Sequence, residues 1–215
     1  MTVRGWEVRR RRFVVALSLA AVVCFGASYA LPWWNLDLLA PQYPQGLKLI
    51  ISLTGVSGDT AEINTINHYI GMHSLDEAAV LERAWSAWLV GGLGVAVFAA
   101  TLLFGRKLNG LLALLAVSFP IGFIVDSQYW LYHAGHALDK TAPVHIKPFW
   151  PVLFGSGKVG QFRTDAYPAL GFWVAIAGVA LMGVAVWQRR RVCQVCPHHD
   201  DCALHCLPQL LGVKP

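Results

Sequence analysis

The sequence predicts an all-α membrane protein. Its expected form is four transmembrane helices, a small extracytoplasmic cap with at most short β-strands, and a short cytoplasmic Cys-rich tail. Three observations lead there. Apolar residues make up 56% of the 215-residue chain and charged residues only 13%, about half the charge of a soluble domain. Four runs are long and apolar enough to cross a bilayer as helices. The scarce charges also sort by side. Disordered, collagen-like and small disulfide-framework classes are excluded on composition, and neither an internal repeat nor a low-complexity segment is evident.

The first apolar run, 13–32, follows a basic N-terminus, 1–12, that contains Arg9, Arg10, Arg11 and Arg12. Ala27-Ser28-Tyr29-Ala30 has the look of a signal-peptide cleavage site. The run is longer than a usual signal core, so a retained anchor is expected, with Cys24 as a membrane-buried thiol. The second span, 84–105, is joined to the third, 108–125, by a two-residue turn at 106–107, which makes the two helices antiparallel neighbours. The fourth runs over 168–188 and ends at Arg189, Arg190 and Arg191.

Orientation follows from the retention of Lys and Arg on the cytoplasmic side. The tail, the turn and the N-terminus together hold eleven basic and three acidic residues, net +8, against six basic and nine acidic residues, net −3, on the other side. Both termini are therefore expected in the cytoplasm of a bacterial inner membrane. Trp33, Trp34, Trp85, Trp88, Tyr129, Trp130, Tyr132, Tyr167 and Trp173 mark an aromatic belt at the outer face, as interfacial Trp and Tyr do. The overall +5 is thus a topological signal. The expected partners are the lipid bilayer and other membrane or periplasmic proteins, with no nucleic acid.

The outer segments, 33–83 and 126–167, are too long for simple turns. Leu47, Leu49, Ile51 and Leu53 alternate with Lys48, Ile50, Ser52 and Thr54, the period of a half-buried strand, and Gly55 to Asp59 supplies a turn. Ser74-Leu75-Asp76-Glu77 has the form of a capping box, so a helix is expected to start there and run into the second span. The second outer segment carries Pro143, Pro148 and Pro151 with Gly155, Gly157 and Gly160. It reads as an ordered loop packed on the first segment, with little regular structure.

The chemistry-bearing residues lie outside the expected spans. No histidine falls within one, so the transmembrane ligand pairs of a b-type haem are missing. Cys193-Gln194-Val195-Cys196 is followed by Pro197 and not by the histidine of a c-type haem site, so no haem is expected. His68 and Met72 are four apart and share a face if their stretch is helical. Imidazole with thioether outside the reducing cytoplasm suits copper better than zinc or magnesium. His73, His133 and His136 are supporting ligand candidates. The competing reading is an interfacial cluster whose His and Asn side chains only satisfy loop backbone groups.

The tail, 189–215, holds Cys193, Cys196, Cys202 and Cys206. Thiolates so closely spaced in a reducing compartment are expected to close around zinc, or alternatively an iron–sulfur cluster, with His198, His199 and His205 as substitute nitrogens. Asp126, Glu62, Asp139 and Asp165 are the remaining acid/base candidates, without visible partners. No nucleophile elbow, phosphate-binding loop or zincin motif occurs. Ser118 and Pro120 are the only polar or broken positions hinting at transport.

Ala40-Pro41-Gln42-Tyr43-Pro44-Gln45-Gly46-Leu47, Glu62-Ile63-Asn64, Asn67-His68-Tyr69-Ile70-Gly71-Met72, Tyr132-His133-Ala134-Gly135-His136-Ala137-Leu138-Asp139 and Gly157-Lys158-Val159-Gly160-Gln161-Phe162 resemble a family of bacterial multi-pass membrane proteins. The resemblance covers roughly 30–170 and does not include the Cys-rich tail. That family is associated with neighbours resembling copper chaperones and accessory factors of nitrous oxide reductase maturation. What the resemblance implies is a non-enzymatic factor that handles copper at the periplasmic face for assembly of a copper enzyme. His68 and Met72 would be its primary ligands. The alternatives are a structural subunit of a respiratory or oxidase complex with no metal in its outer loops, and a membrane enzyme acting on lipid through Asp126 and the outer histidines.

Overall fold

A computed structural model of the chain describes residues 3–103, 106–159 and 162–193. Four of its helices contain stretches long and apolar enough to cross a bilayer: Arg12–Tyr29, Val80–Ala99, Ala113–His136 and Leu170–Arg189. The chain is a membrane protein on that ground. These stretches belong to α1 (Val3–Tyr29), α3 (Val80–Leu103), α4 (Arg106–His136) and α5 (Leu170–Cys193). Between them in sequence lie strands β1 (Trp34–Ala40), β2 (Tyr43–Ser52) and β3 (Gly55–Gly58), helix α2 (Thr60–Ile70), and strands β4 (Gly155–Val159) and β5 (Phe162–Pro168).

The chain divides into two compact units. One holds the described parts of Met1–Ala27, Trp88–Phe119 and Val174–Pro215. Its helices meet through small residues, since in lipid close backbone approach replaces hydrophobic burial as the packing force. Ser18, Ala21, Ala116, Ala175 and Ala185 are fully buried. Gly178 of α5 lies against Cys24 and the Ala21 carbonyl of α1, and Phe25 meets Phe119 edge to face at 6.4 Å.

The second unit, Ser28–Ala87 with Pro120–Trp173, overturns the expectation of an all-α protein with a small cap. Its centre is a five-stranded antiparallel sheet in the order β3-β2-β1-β5-β4. The alternating stretch from Leu47 lies in β2 as far as Ser52, but Gly55–Gly58 of the expected Gly55 to Asp59 turn is itself the edge strand β3. The second outer segment adds two more strands. Those strands escaped notice because their inward positions are small: Gly157, Thr164 and Ala166 pair in the register that places them on one face. Val152 and buried Leu153 lie at that part of the sheet, where Gly157 leaves room for Val152. A strand that buries Gly, Thr and Ala shows no hydrophobic alternation to read.

Register assigns the faces. Leu36 stands between Leu49 and Ala166, and Leu38 between Leu47 and Thr164. This face carries the core of Leu47, Leu49 and Ile63, with Ile66 of α2 and Leu75 packed against it. Trp34, 2% exposed, closes one end among Phe123, Phe154 and Phe172 at 5–6 Å between rings. The opposite face is polar. Asp37 lies between Lys48 and Asp165, the Tyr167 hydroxyl donates to Asp37 at 3.2 Å, and Arg163 donates to Asp165 at 3.2 Å. Hydrogen bonds from Ser156 and Arg163 hold the Asp165 carboxyl below its ordinary pKa. Burial and the neighbouring Asp37 raise that of Tyr167.

Two helix boundaries also differ from expectation. The capping-box serine opens a single 3-10 turn, Leu75–Glu77, in which the Ser74 side chain accepts from the Asp76 amide. The chain then breaks at Ala79, whose φ is 52°, before α3 begins. Left-handed backbone costs an alanine about 1–2 kcal/mol. Arg83 spans the break by donating to the carbonyls of Ala79 and Asp76. At the other end, α4 does not stop at Asp126 but continues to His136, 31 residues in all. At about 1.5 Å per residue that is ~46 Å of helix, against a hydrocarbon core of about 30 Å.

Replacing Leu49, only 4% exposed at the sheet–helix core, with Ala is expected to destabilise the second unit by about 2–5 kcal/mol. Thermal unfolding in mild detergent measures this, and a change below about 1 kcal/mol would place the core elsewhere.

Candidate metal centre

Helix α2 ends in a tight cap because Gly71 adopts left-handed backbone, φ 78°. The Met72 amide donates to the Asn67 carbonyl at 2.8 Å and the Gly71 amide to that of His68 at 3.4 Å, the two bonds of a Schellman cap. The helix therefore stops before Met72. His68 and Met72 do not share a helical face, contrary to the condition on which their pairing rested.

Two asparagines one turn apart hold the chain beyond the cap. Asn64 accepts from the Leu75 amide at 2.9 Å, and buried Asn67 donates to the His73 carbonyl at 3.4 Å. From the other segment, the Asp139 amide donates to the Gly71 carbonyl at 2.8 Å and the Val144 amide to that of Tyr69 at 3.1 Å. A Cβ on Gly71 would stand 2.7 Å from the Asp139 carbonyl oxygen, so glycine is required here both by φ and by space.

The sequence candidates end up in different places. His73 projects from the loop after the cap and His133 from the last turns of α4. Their rings are parallel within 11° and their centres 6.3 Å apart. An imidazole lone pair lies in its ring plane, so this stacked pair would share one metal, at about 2.0 Å per nitrogen, only after one or both rings rotate to turn a nitrogen toward a common centre. His73 Nδ1 lies 3.2 Å from the Glu77 carboxylate, which favours a proton on Nδ1 and leaves Nε2 as the lone-pair donor. His133 is bracketed by Tyr129, parallel at 6.1 Å, and Trp130, edge-on at 6.0 Å.

His68 is exposed at the end of α2, its ring against Tyr69, and it shares electrostatic reach of Asp139 with His73. Met72 is half-buried. His136 belongs to a different neighbourhood, stacked on Tyr132 at 4.0 Å with Nδ1 at the Tyr132 carbonyl. Among the described residues no group of three or more His, Cys, Asp or Glu is arranged to hold a metal, so the arrangement amounts to two imidazoles with aromatic walls. Cys193 ends α5; Cys196, Cys202 and Cys206, with His198, His199 and His205, lie outside the described residues. Sequence reasoning missed Glu77 as the partner of His73. Their four-residue spacing was the available signal, but Glu77 had been assigned to a helix cap.

The Asp139 carboxyl accepts from the backbone amide and the hydroxyl of Thr141, each at 2.8 Å. These bonds, the amide first, lower its pKa below the ordinary value. A folded-state pKa that is lowered adds stability above the unfolded pKa, and the contribution is lost as pH falls through the folded value.

No protein-family model matches the chain, and no characterised protein matches it either.

Gly71→Ala is expected to cost about 1–2 kcal/mol from backbone conformation alone, plus displacement of 139–142, and to separate His73 from His133. A thermal midpoint within error of the native protein would contradict this. Titration of Asp139 followed by carboxyl carbon-13 shifts is expected to give a midpoint below the ordinary carboxylate range. Thr141→Val is expected to raise that midpoint toward the ordinary value; an ordinary midpoint in the native protein would refute the assigned hydrogen bonds.

Proposed function

We propose that this chain is an accessory protein of the bacterial inner membrane, with both termini in the cytoplasm. It handles copper at the periplasmic face for assembly of a copper enzyme. The charge asymmetry of the sequence supports the orientation, by the retention of Lys and Arg on the cytoplasmic side. The observation that carries the copper reading is the parallel pair His73 and His133, 6.3 Å between ring centres. Cuprous ion accepts two imidazole nitrogens in a nearly linear arrangement, a coordination number zinc does not favour. An exposed site, with 60% of the His73 side chain accessible, suits an ion that is taken up and passed on. His68 is proposed as a nitrogen donor and Met72 as a soft sulfur donor of a transfer path, with His136 as a further nitrogen candidate.

A second reading, a structural subunit of a respiratory or oxidase complex, is favoured by the polar sheet face of Asp37, Lys48, Arg163, Asp165 and Tyr167. It requires stoichiometric co-purification with an oxidase and no copper. The tail cysteines Cys193, Cys196, Cys202 and Cys206 are proposed as a zinc or iron–sulfur knuckle. Zinc or iron that survives Cys193→Ser with Cys196→Ser would remove that proposal.

Cuprous affinity, measured by competition with a chromophoric chelator on detergent-purified protein, tests the main reading. His73→Ala and His133→Ala are each expected to weaken binding at least tenfold. Glu77→Gln is expected to weaken it by about 10–100-fold, the usual effect of removing the carboxylate behind a ligating histidine. Affinity unchanged in the His73→Ala, His133→Ala double variant would overturn the ligand assignment.

A further inference from the structure

Residues 147–154 connect α4 to the sheet without regular structure, yet they are strongly apolar: Lys-Pro-Phe-Trp-Pro-Val-Leu-Phe. The segment is held in place. The Phe149 amide donates to the Gly135 carbonyl at 3.1 Å, and Gly135 is buried where any side chain would run into the Phe149 carbonyl. Pro151 and Leu153 face inward and are buried, whereas Trp150 and Phe154 remain 59% and 55% exposed. An ordered loop that buries Pro151 and Leu153 while turning Trp150 and Phe154 outward is not built to face water.

Ring contacts fix the level of both aromatics. Trp150 meets Tyr132 edge to face at 5.1 Å, and Tyr132 lies within the membrane-capable stretch Ala113–His136, one turn from its end. Phe154 meets Trp34 at 4.8 Å, and Trp34 meets Phe172 at 5.7 Å, near the start of the membrane-capable stretch Leu170–Arg189. The loop thus runs alongside the ends of two spans, where Trp and Tyr concentrate at the headgroup boundary. Exposed Lys147, three residues before Trp150, supplies a cation of the kind that anionic headgroups attract.

We propose that residues 147–154 are an interfacial anchor lying in the lipid headgroup region. Trp150 and Phe154 enter the acyl boundary and Lys147 faces the phosphates. The occupant of this apolar face is the bilayer surface and not a protein.

Nitroxide labels at Trp150→Cys, Phe154→Cys and, as an aqueous control, Lys158→Cys on the exposed edge strand test this. The background is the full chain with its five native cysteines replaced by Ser, reconstituted in vesicles of phosphatidylethanolamine and phosphatidylglycerol. Labels at 150 and 154 are expected to collide more with oxygen than with a water-soluble nickel chelate, and the label at 158 the reverse. Water-like accessibility at 150 and 154 would overturn the proposal, and so would shielding from both reagents, which would mean that protein covers the face. The chain with its native cysteines gives an independent reading. Quenching of its tryptophan emission by lipids brominated near the headgroup is expected to fall measurably in Trp150→Phe. An unchanged quenched fraction would also overturn the proposal.

Discussion

Strand β1 is hydrogen-bonded on both sides, to β2 along Trp34–Ala40 and to β5 along Trp34–Leu39. Its pairing with β2 is local, a hairpin that closes over Pro41 and Gln42. Its pairing with β5 joins residues about 130 positions apart and brings together two segments separated in sequence by two membrane-capable helices. Such non-local pairing has a large closure entropy to overcome. What offsets it is the burial of Leu36 against Leu49 and of Trp34 among three phenylalanine rings. That pairing fixes the last part of the second outer segment, Phe162–Pro168, beside the first.

The imidazole pair is placed by other contacts between the same two segments. His73 is placed by the α2 cap, whose Asn64 and Asn67 side chains satisfy backbone groups of the following loop. His133 is placed by α4, one turn before the end of its membrane-capable stretch Ala113–His136. The two come together because 139–144 bonds to Gly71 and Tyr69, stitching the chain after α4 to the end of α2. The bland reading of the motif, that its polar side chains hold the loops together, is therefore true of the asparagines. The histidines are the members whose rings stay exposed, and only exposed rings are available to a ligand.

The helices were legible because long uncharged runs are a strong signal in a medium that cannot solvate backbone. The sheet was not, for reasons visible in single residues. β1 mixes Trp34, Leu36 and Leu38 with Asn35 and Asp37, a proper alternation. It abuts the aromatic end of a span and was absorbed into the belt. β4 and β5 bury Gly157, Thr164 and Ala166, which carry no hydrophobic period. At the candidate site, the histidine–methionine pairing assumed one continuous helix, but Gly71 ends the helix between them. That glycine could have been read as a cap from its position after Ile70. The meeting of His73 with His133 had no local signature at all, since it arises from contacts between segments some sixty residues apart.

Amide hydrogen exchange across β1 and β5, on protein in mild detergent, reports whether the two strands form one sheet. If β1 is the inner strand of a five-stranded sheet, the amides of Leu36, Leu38, Thr164 and Ala166 should exchange slowly and together, near the global unfolding rate of the unit. Rapid exchange of β5 while β2 stays protected would mean that the second outer segment is only a loop. The five-stranded sheet, with β1 at its centre, would then fall.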